Sequence, residues 1–478
     1  MIKFFTTIAS VALINFLFIE LNGQGLEKFT YLREEENISE FNNSHFPCIS
    51  SEEYAALEIQ CAANIRILGL DKSLLKNRQT TSLIWPLKAA EGFTDCDFYF
   101  IGAYVDQNTS LGLKQDYDCG SNTYDGHHGT DITLWPYGFY KMDNNQVEVI
   151  AAAAGTIIQK EDGNFDRNCA ANNLTANSII IQHADGSRAL YWHMKKNSLT
   201  NKVLGQTVAQ GEYLGVVGSS GSSSGPHLHF EVWSGSSNTT YIDPYSGICN
   251  TINNTSWWQT QRAHHNPAVI KVSTNTTELV LTGCPNSETP HEATSFEVPF
   301  QGPGLPQGFA KFYIFLREAA PDTIAECKII NPNGSVFNSW TFFTSATKWS
   351  IAGFSKLLPT IPGSYSFQAT HNGVTCSQRF DISQATGYSD MSDISSFEII
   401  TNPTSASFAL VGLNIDNGKY NFKLTTTSGQ IASSETAYVT GNSLEKMFST
   451  SSLPNGIYVL LIESENNRIS KKFVVLNH

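Results

Sequence analysis

Nine residues of this 478-residue chain, Gly225–Trp233, combine imidazole side chains with the alternation of a β-strand. After the proline, polar His227, His229 and Glu231 alternate with apolar residues, which predicts a strand with one polar and one apolar face. Two histidines that lie two residues apart on one face of a strand can reach a shared centre. We therefore expect His227 and His229 to face a common site.

A second stretch, Gly126–Thr133, supplies matching residues further upstream. His127 and Asp131 are four residues apart, so on a strand they share a face, and the β-branched residues beside them favour a strand. Side chains of His127, Asp131 and His229 form the donor set of a zinc site with three protein ligands and a fourth position for water. These three residues are the predicted metal ligands.

Hydrolysis at such a centre needs more than the metal. Zinc lowers the pKa of its bound water to about 7, but a second group must take the proton and a donor must hold the oxyanion. His227 shares a face with His229, and His193 ends a predicted hairpin of two strands. His193 and His227 are the candidates for these catalytic roles.

Other motifs are weaker. His128 should point away from its neighbour His127, His183 has an uncertain role, and a lone histidine is usually an ordinary core or surface residue. Gly221–Gly225 matches the G-x-S-x-G pattern of a serine nucleophile, but that elbow runs from strand to helix and this one leads into a strand. The sequence therefore argues against a serine hydrolase.

Composition and charge restrict the class of protein. The net charge of −13 argues against nucleic acid as a partner, because phosphate binding needs a basic surface. Residues 1–22 resemble a secretory signal with Lys3 before an apolar run, although a signal anchor is an alternative. No later stretch is long and apolar enough to span a bilayer, so we expect a secreted protein or one on the outer cell surface.

Nine cysteines follow the signal, and an exported protein would oxidise most of them, leaving at least one unpaired. We expect the disulfides Cys119–Cys169 and Cys327–Cys376. A bridge between Cys48 and Cys61 is not expected, because the helix between them would hold them too far apart. No two cysteines form a close C-x-x-C pair, so a cysteine zinc site is not expected either.

The chain is expected to be mainly β and to contain several domains. After the signal, residues 23–84 form a pro-region or an N-terminal addition, with a helix from Ser50 to about Leu68 that begins at a capping box. Residues 85–250 carry the candidate site as an antiparallel β-sheet domain. Residues 268–385 are predicted to form an immunoglobulin-like β-sandwich, which binds wall glycan or acts as a spacer, and residues 396–478 form a second small β-sandwich.

The three motifs H-x-G-x-D, Y-x-H and G-P-H-L-H-F, in this order, resemble the lysostaphin-type (LytM-like, β-lytic) zinc metallopeptidases. The resemblance covers about Trp85–Cys249 and implies zinc ligands at His127, Asp131 and His229, with His193 and His227 as the catalytic pair. It also implies an open groove and substrates among the peptide stems or cross-links of bacterial peptidoglycan.

The last segment resembles the sorting domain of the type IX secretion system, on the basis of Asn402-Pro403, the turn and strand at Leu453–Tyr458, and Lys471-Lys472. The resemblance implies export by that machinery. The expected function is a secreted zinc endopeptidase acting on peptidoglycan. The alternatives are an extracellular peptidase acting on glycine-rich proteins such as elastin, and a non-catalytic LytM-like module that binds and regulates.

Overall fold

The structure is a computed structural model. It describes residues 16–20, 27–33, 47–72, 81–235, 240–345, 348–384, 397–400, 402, 404, 406–413, 415–426, 429–441, 443–465 and 468–476. For residues 16–20, 27–33, 72 and 413 only the backbone is described. The predicted signal lies outside these residues except for Phe16–Glu20, which forms a strand, and most of the predicted linker before residue 396 also lies outside them.

The described residues are mainly β, as predicted, with the helices α1 (Ser51–Leu68) and α2 (Gly138–Asp143) and one short 3-10 turn, Leu70–Lys72. The strands up to the candidate site's end are β1 (Phe16–Glu20), β2 (Glu27–Arg33), β3 (Leu87–Ala89), β4 (Tyr99–Ala103), β5 (Gly129–Leu134), β6 (Val147–Ile150), β7 (Gly155–Glu161), β8 (Ser178–Gln182), β9 (Arg188–Trp192), β10 (Thr207–Val208), β11 (Tyr213–Val216), β12 (His227–Trp233) and β13 (Tyr241–Ile242).

The remaining strands fall into two groups. The first group is β14 (Ala268–Asn275), β15 (Ser295–Val298), β16 (Phe309–Arg317), β17 (Ile324–Ile330), β18 (Val336–Phe343), β19 (Trp349–Leu357), β20 (Gly363–His371) and β21 (Val374–Gln384). The second group is β22 (Phe397–Ile400), β23 (Ser407–Leu413), β24 (Gly418–Thr426), β25 (Ile431–Val439), β26 (Ser443–Ser449), β27 (Gly456–Glu463) and β28 (Arg468–Val475).

The candidate site lies on an antiparallel sheet with the strand order β10-β7-β8-β9-β12-β5-β4, with β13 paired to β12. Strand β12 is central and pairs with both β5 and β9. The predicted hairpin is present as β8 and β9. A smaller sheet, β11-β6-β3, contributes to the same hydrophobic core.

The two faces of the sheet have different neighbours. Leu228, Phe230 and Val232 of β12 enter the main hydrophobic core, whereas Trp233 enters a second core that α1 covers. Strands β7, β8 and β9 divide their side chains in the same way, as the two-residue period of a strand requires. His229 has the same parity as Trp233, so the metal-ligand face of the sheet is the face that α1 covers.

The predicted sandwich consists of two facing sheets. One has the order β1-β2-β19-β16-β14 and the other β15-β21-β20-β17-β18. Phe312 of the first sheet contacts Trp340, Phe367 and Phe380 of the second, with ring centroids 5.0–6.0 Å apart. These interlocking aromatic rings fill the space between the sheets.

The disulfide predictions are wrong. The structure contains Cys96–Cys376, Cys119–Cys249 and Cys169–Cys284, while Cys48, Cys61 and Cys327 are free thiols. Cys48 and Cys61 are therefore not bridged, in agreement with the helix argument.

Strand register explains why Cys327 does not pair with Cys376. Cys327 on β17 and Cys376 on β21 both lie opposite Ala369 on the intervening strand β20. Two inter-strand steps separate them by roughly 9–10 Å, which exceeds the Cα separation that a disulfide spans.

The disulfides instead join distant parts of the chain. Cys376 reaches Cys96, and Cys284 reaches Cys169, so both bridges link the sandwich to the sheet that carries the candidate site. Cys119 pairs with Cys249, at the end of the predicted site domain, and not with Cys169 as expected. Packing of the two regions against each other, which no local spacing encodes, decides these pairings.

A buried ion-pair cluster around Asp95 connects the same two regions. Its carboxylate accepts from Lys141 at 2.7 Å and also from Lys271 of β14, which in turn pairs with Glu292 at 2.8 Å. Burial would raise the pKa of Asp95, but Lys141 and Lys271 hold that pKa below its ordinary value. The charged form of Asp95 therefore contributes to the stability of this contact.

Residues 397–476 form their own core. The sheets β22-β23-β26 and β25-β24-β27-β28 enclose the aromatic residues Phe408, Phe422, Phe448 and Phe473. Neither described helix is long and apolar enough to cross a membrane.

Replacing Asp95 by alanine should lower the free energy of unfolding by about 3–5 kcal/mol, because two buried ammonium groups lose a counter-charge. Equilibrium denaturation with the disulfides intact measures this loss. The contribution is complete above the ordinary pKa of an aspartate and is lost as the pH falls through the lowered pKa.

Lys88→Ala is the matched control. Lys88 lies 4.0 Å from Glu148 and its side chain is 65% exposed, so we expect a change below about 1 kcal/mol. Equal destabilisation by the two substitutions would contradict the role assigned to the Asp95 cluster.

Candidate metal centre

The three predicted ligands come together on the strand pair β5 and β12. Asp131 and His229 lie directly opposite each other in the register, and His229 Nδ1 is 2.9 Å from Asp131 Oδ1. His127 Nε2 lies 3.1 Å from His229 Nδ1 and 3.2 Å from Asp131 Oδ1. Two imidazole nitrogens and one carboxylate oxygen therefore point at one small buried volume.

The backbone position of His127 differs from the prediction. Strand β5 begins at Gly129, so His127 precedes the strand rather than lying on it. Gly126 adopts a left-handed conformation with φ of 74°, and the His127 ring is fixed by a hydrogen bond from Nδ1 to Tyr104 O at 2.7 Å. A turn and this carbonyl, rather than strand parity, bring His127 to Asp131.

The hydrogen bonds at the far side of each ring suit metal binding. His127 donates Nδ1–H to a backbone carbonyl, and His229 places Nε2 at 3.3 Å from Glu231 Oε2. These contacts leave His127 Nε2 and His229 Nδ1 as lone-pair donors toward Asp131, the arrangement that orients histidine ligands of zinc. The residues present therefore fit a zinc ion with two nitrogen ligands and one oxygen ligand.

Gly129 is required by the close approach of the two strands. A Cβ atom at this position would lie 2.6 Å from His229 Cε1 and 2.9 Å from the carbonyl oxygen of Phe230. Any other residue would displace the His229 ring from Asp131. The glycine of the H-x-G-x-D motif thus makes room for the ligand on the neighbouring strand.

His193 and His227 lie beside this cluster with ring centroids 4.5 Å apart. His193 Nδ1 contacts Ser220 O at 2.6 Å and His227 Nδ1 contacts Gly225 O at 2.8 Å. His193 Nε2 is buried and has no hydrogen-bond partner among the described residues, and His227 Nε2 lies 3.8 Å from Asp131 Oδ1. Both imidazoles therefore have one anchored nitrogen and one nitrogen directed toward the site.

Burial and neighbouring charges set the protonation of the cluster. Burial would raise the pKa of Asp131, but positive charge on His127, His229 and His227, which a zinc ion bound by the ring nitrogens would replace, holds that pKa well below its ordinary value. Burial lowers the pKa of His193, and the neighbouring His227 lowers it further. Asp131 is therefore ionised, as a ligand must be, and His193 is disposed to be a neutral proton acceptor.

His128 and His183, the two histidines that the sequence left without a clear role, lie outside the cluster of ligands. His128 stacks on Tyr241 with ring centroids 3.9 Å apart, and its Nδ1 lies 3.8 Å from Glu231 Oε1. His183 hydrogen-bonds Ala154 O at 2.8 Å and belongs to none of the ligand clusters of the described residues. The loop Gly221–Gly225 leads directly into β12, so the helix of a serine nucleophile elbow does not follow it.

One candidate ligand was missed by the sequence reasoning. Cys48, just before α1, places Sγ within 4.8 Å of the ligand atoms of His127, Asp131 and His229. The same thiol forms a second group of this kind with His193 and His227. A lone cysteine far from the motifs gives no spacing signal, so only the fold reveals this contact.

Two family models match separate parts of the chain. The family described as Peptidase family M23 matches residues 126–244, and the secretion system C-terminal sorting domain matches residues 399–476. Curated relatives include DD-carboxypeptidase/endopeptidase Mpg of Neisseria meningitidis serogroup B (strain ATCC 13091 / M2091), 46% identical over 55 residues, and Cell division protein DipM of Caulobacter vibrioides (strain NA1000 / CB15N), 45% identical over 56 residues.

Each curated match covers 12% of this chain, and it spans 12% of Mpg and 9% of DipM. Among solved structures, the catalytic domain of the antimicrobial peptidase lysostaphin from Staphylococcus simulans is 28% identical, with a TM-score of 0.20. That match covers 30% of this chain and 86% of the lysostaphin domain.

The matched region and its His/Asp cluster define a metallopeptidase domain of the M23, lysostaphin-like family. The chain joins this domain to a C-terminal sorting domain of the type IX secretion system, so the protein is secreted or held on the outer cell surface. Both resemblances drawn from the sequence are thereby confirmed.

Replacing His127 by alanine should reduce bound zinc from about one per chain to a small fraction, because the site loses one of three protein ligands. His128→Ala is the matched control, since its ring stacks on Tyr241 instead of facing Asp131. Zinc content by atomic spectroscopy after gel filtration measures both variants. Equal zinc loss in the two variants would contradict the ligand assignment.

Proposed function

We propose that this protein is a secreted zinc metalloendopeptidase that hydrolyses peptide bonds in bacterial peptidoglycan. His127, Asp131 and His229 are the metal ligands, and His193 and His227 are the catalytic pair. The observation that carries the proposal is the position of two anchored imidazoles beside a buried two-histidine, one-aspartate cluster. The family match at residues 126–244 supports the same reading.

The geometry assigns a task to each side chain. A bound zinc ion would supply an activated water and polarise the substrate carbonyl. His193, whose Nε2 has no hydrogen-bond partner among the described residues and whose pKa burial lowers, accepts the proton of the attacking water. His227, whose Nε2 lies 3.8 Å from Asp131 Oδ1, donates to the oxyanion.

The hydrogen bonds to backbone carbonyls give these roles a direction. Ser220 O holds Nδ1–H of His193, and Gly225 O holds Nδ1–H of His227, so each Nε2 is presented to the reacting atoms. His193 also has a φ of 65°, a left-handed conformation that the end of β9 imposes. Side chains held in this way lose little conformational entropy when they adopt the reactive geometry.

The names of relatives support a wall substrate. Mpg is named a DD-carboxypeptidase/endopeptidase, and lysostaphin is named an antimicrobial peptidase. Export through the type IX machinery directs the enzyme to walls or proteins outside its own cell. Peptide stems or cross-links of peptidoglycan are therefore the proposed substrates, and glycine-rich proteins such as elastin are the alternative.

Mass spectrometry of the products from purified peptidoglycans with different cross-bridges, run beside elastin, tests the substrate. Soluble muropeptides with newly formed amino termini are the expected result, and they should disappear when a chelator removes the metal. Cleavage of elastin alone would support the alternative substrate. If every substrate remains intact in all digests, the result would support the alternative of a non-catalytic module.

His193→Ala and His227→Ala should each retain zinc but lower the turnover number by about 10²–10⁴-fold, because a positioned acid or base is lost. The measurement is turnover on a peptidoglycan digest together with zinc content. Exposed His265→Ala is the control and should keep both properties. Equal loss of zinc in the two active-site variants would instead make these histidines ligands.

Deleting residues 397–478 should prevent release from a host that carries the type IX machinery and leave catalysis by the purified remainder intact. Immunoblots of cell and medium fractions measure release. The basis is that these residues enclose a hydrophobic core of their own. Unimpaired secretion of the shortened chain would contradict the proposed contact with that machinery.

A further inference from the structure

The thiol of Cys48 occupies the space between the metal ligands and the catalytic pair. Its Sγ belongs to both groups of clustered ligand atoms, one with His127, Asp131 and His229, the other with His193 and His227. In the proposed mechanism a water must lie at this point, bound to the metal and within reach of His193. A sulfur atom at the same point excludes that water.

Tyr124 fixes the thiol from a second direction. Its hydroxyl lies 2.9 Å from Cys48 Sγ, and its ring stacks on the ligand His127 with centroids 4.2 Å apart. The buried Nε2 of His193 finds no hydrogen-bond partner in the described part of the chain, and a nitrogen of the same ring lies within 4.8 Å of the Cys48 thiol. The thiol therefore contacts polar groups of the site, while the rest of Cys48 packs against the apolar cluster beneath α1.

The backbone around Cys48 is held in place by the helix that follows it. Ile49 is buried, and Ser50 caps α1 through a complete capping box with Glu53. The buried face of α1 consists of Tyr54, Leu57, Cys61 and Ile65, which pack against the second core of the sheet. Because these contacts fix the backbone that follows Cys48, they hold its side chain at the site as long as the segment stays folded on the sheet.

Helix α1 packs on the sheet face from which His229 projects. Five side chains of the sheet pack against α1, namely Ile158, Ile180, Leu190, Trp192 and Trp233. One of the strands that carry them is β12, from which His229 projects on the same side. Tyr54 also donates its hydroxyl to Glu231 Oε2 at 2.8 Å, and Glu231 orients His229. The segment thus covers the sheet beside the metal site and contacts a residue that supports the ligand.

We infer that Cys48 is a fourth ligand of the metal in the full chain, so that residues 47–72 hold the enzyme latent until they leave. This inference rests on the proposed function, because latency has meaning only if the site hydrolyses peptide bonds. Coordination releases the thiol proton to solvent and forms a metal–sulfur bond. Departure of Cys48 breaks that bond and lets one water molecule take the fourth position.

X-ray absorption at the zinc edge tests the ligand in the full chain. One sulfur scatterer at about 2.3 Å is expected, together with nitrogen and oxygen ligands. The sulfur signal should vanish in Cys48→Ala and persist in Cys61→Ala, the matched control, because Cys61 lies within α1 and its thiol faces the apolar core. A shell of nitrogen and oxygen alone in the unaltered chain overturns the inference.

Turnover tests the latency. Cys48→Ala should cleave substrate on the order of tenfold faster than the full chain, and adding Leu57→Asp, which charges the buried face of α1, should raise the rate further. Mass spectrometry of a protease-activated sample should find a new amino terminus after Cys48. Full activity of the unaltered chain, with no sulfur ligand at its zinc ion, would overturn the inference. The proposed peptidase activity would then still stand.

The two proposals fail in different ways. If zinc has a sulfur ligand but neither the variants nor the trimmed chain cleaves any substrate, the proposed peptidase function is rejected. Cys48 then remains a metal ligand. Cleavage at one rate by the full chain, Cys48→Ala and the double variant would remove the latency and keep the peptidase.

Discussion

The structure depends on the antiparallel register between β5 and β12. This register places Asp131 opposite His229, and it leaves the apolar residues of β12 in the main core. A shift by one residue would exchange the two faces, burying imidazoles in the core and presenting Leu228 to the metal. Pairing of β12 with β9 on its other edge, and the tight contact at Gly129, restrict that shift.

The same register concentrates polar groups in a buried volume. His127 Nε2, His229 Nδ1 and Asp131 Oδ1 lie within 3.2 Å of one another, and all three residues are buried. Lone pairs at such distances are unfavourable unless a proton or a cation lies among them. A metal ion bound among these three atoms would therefore stabilise this part of the fold as well as serve the proposed chemistry.

The sequence predicts the parts of the site that follow from strand alternation. The parity of β12 places His229 and His227 on one face, and the capping box predicts the start of α1 at Ser50. His127 was assigned to a strand but lies in a turn, because its ring is fixed by a carbonyl of Tyr104 that no local pattern reveals. Local periodicity thus predicts which residues share a face, but not where a loop returns.

Long-range packing accounts for the remaining differences. Cys96 and Cys169 pair with cysteines of the sandwich because the two regions pack together, and Cys327 stays reduced because β20 separates it from Cys376. Cys48 reaches the metal site for the same reason, since α1 seats its apolar face on the sheet. Contacts between elements distant in sequence leave no signature in the spacing of either element.

The packing of α1 also constrains how the site opens. Each fully buried apolar side chain on the helix contributes roughly 1.5–3 kcal/mol, and the metal–thiolate contact adds to that sum. While the segment is covalently attached, its effective concentration at the sheet is about millimolar or higher, so a soluble substrate competes poorly. Cuts on both sides of residues 47–72 remove this advantage, because a segment released at both ends binds at its own low concentration, whereas a single cut after the helix would leave it joined to β2, which pairs with β19. Activation by cleavage therefore follows from the thermodynamics of tethering, without a change in the catalytic side chains.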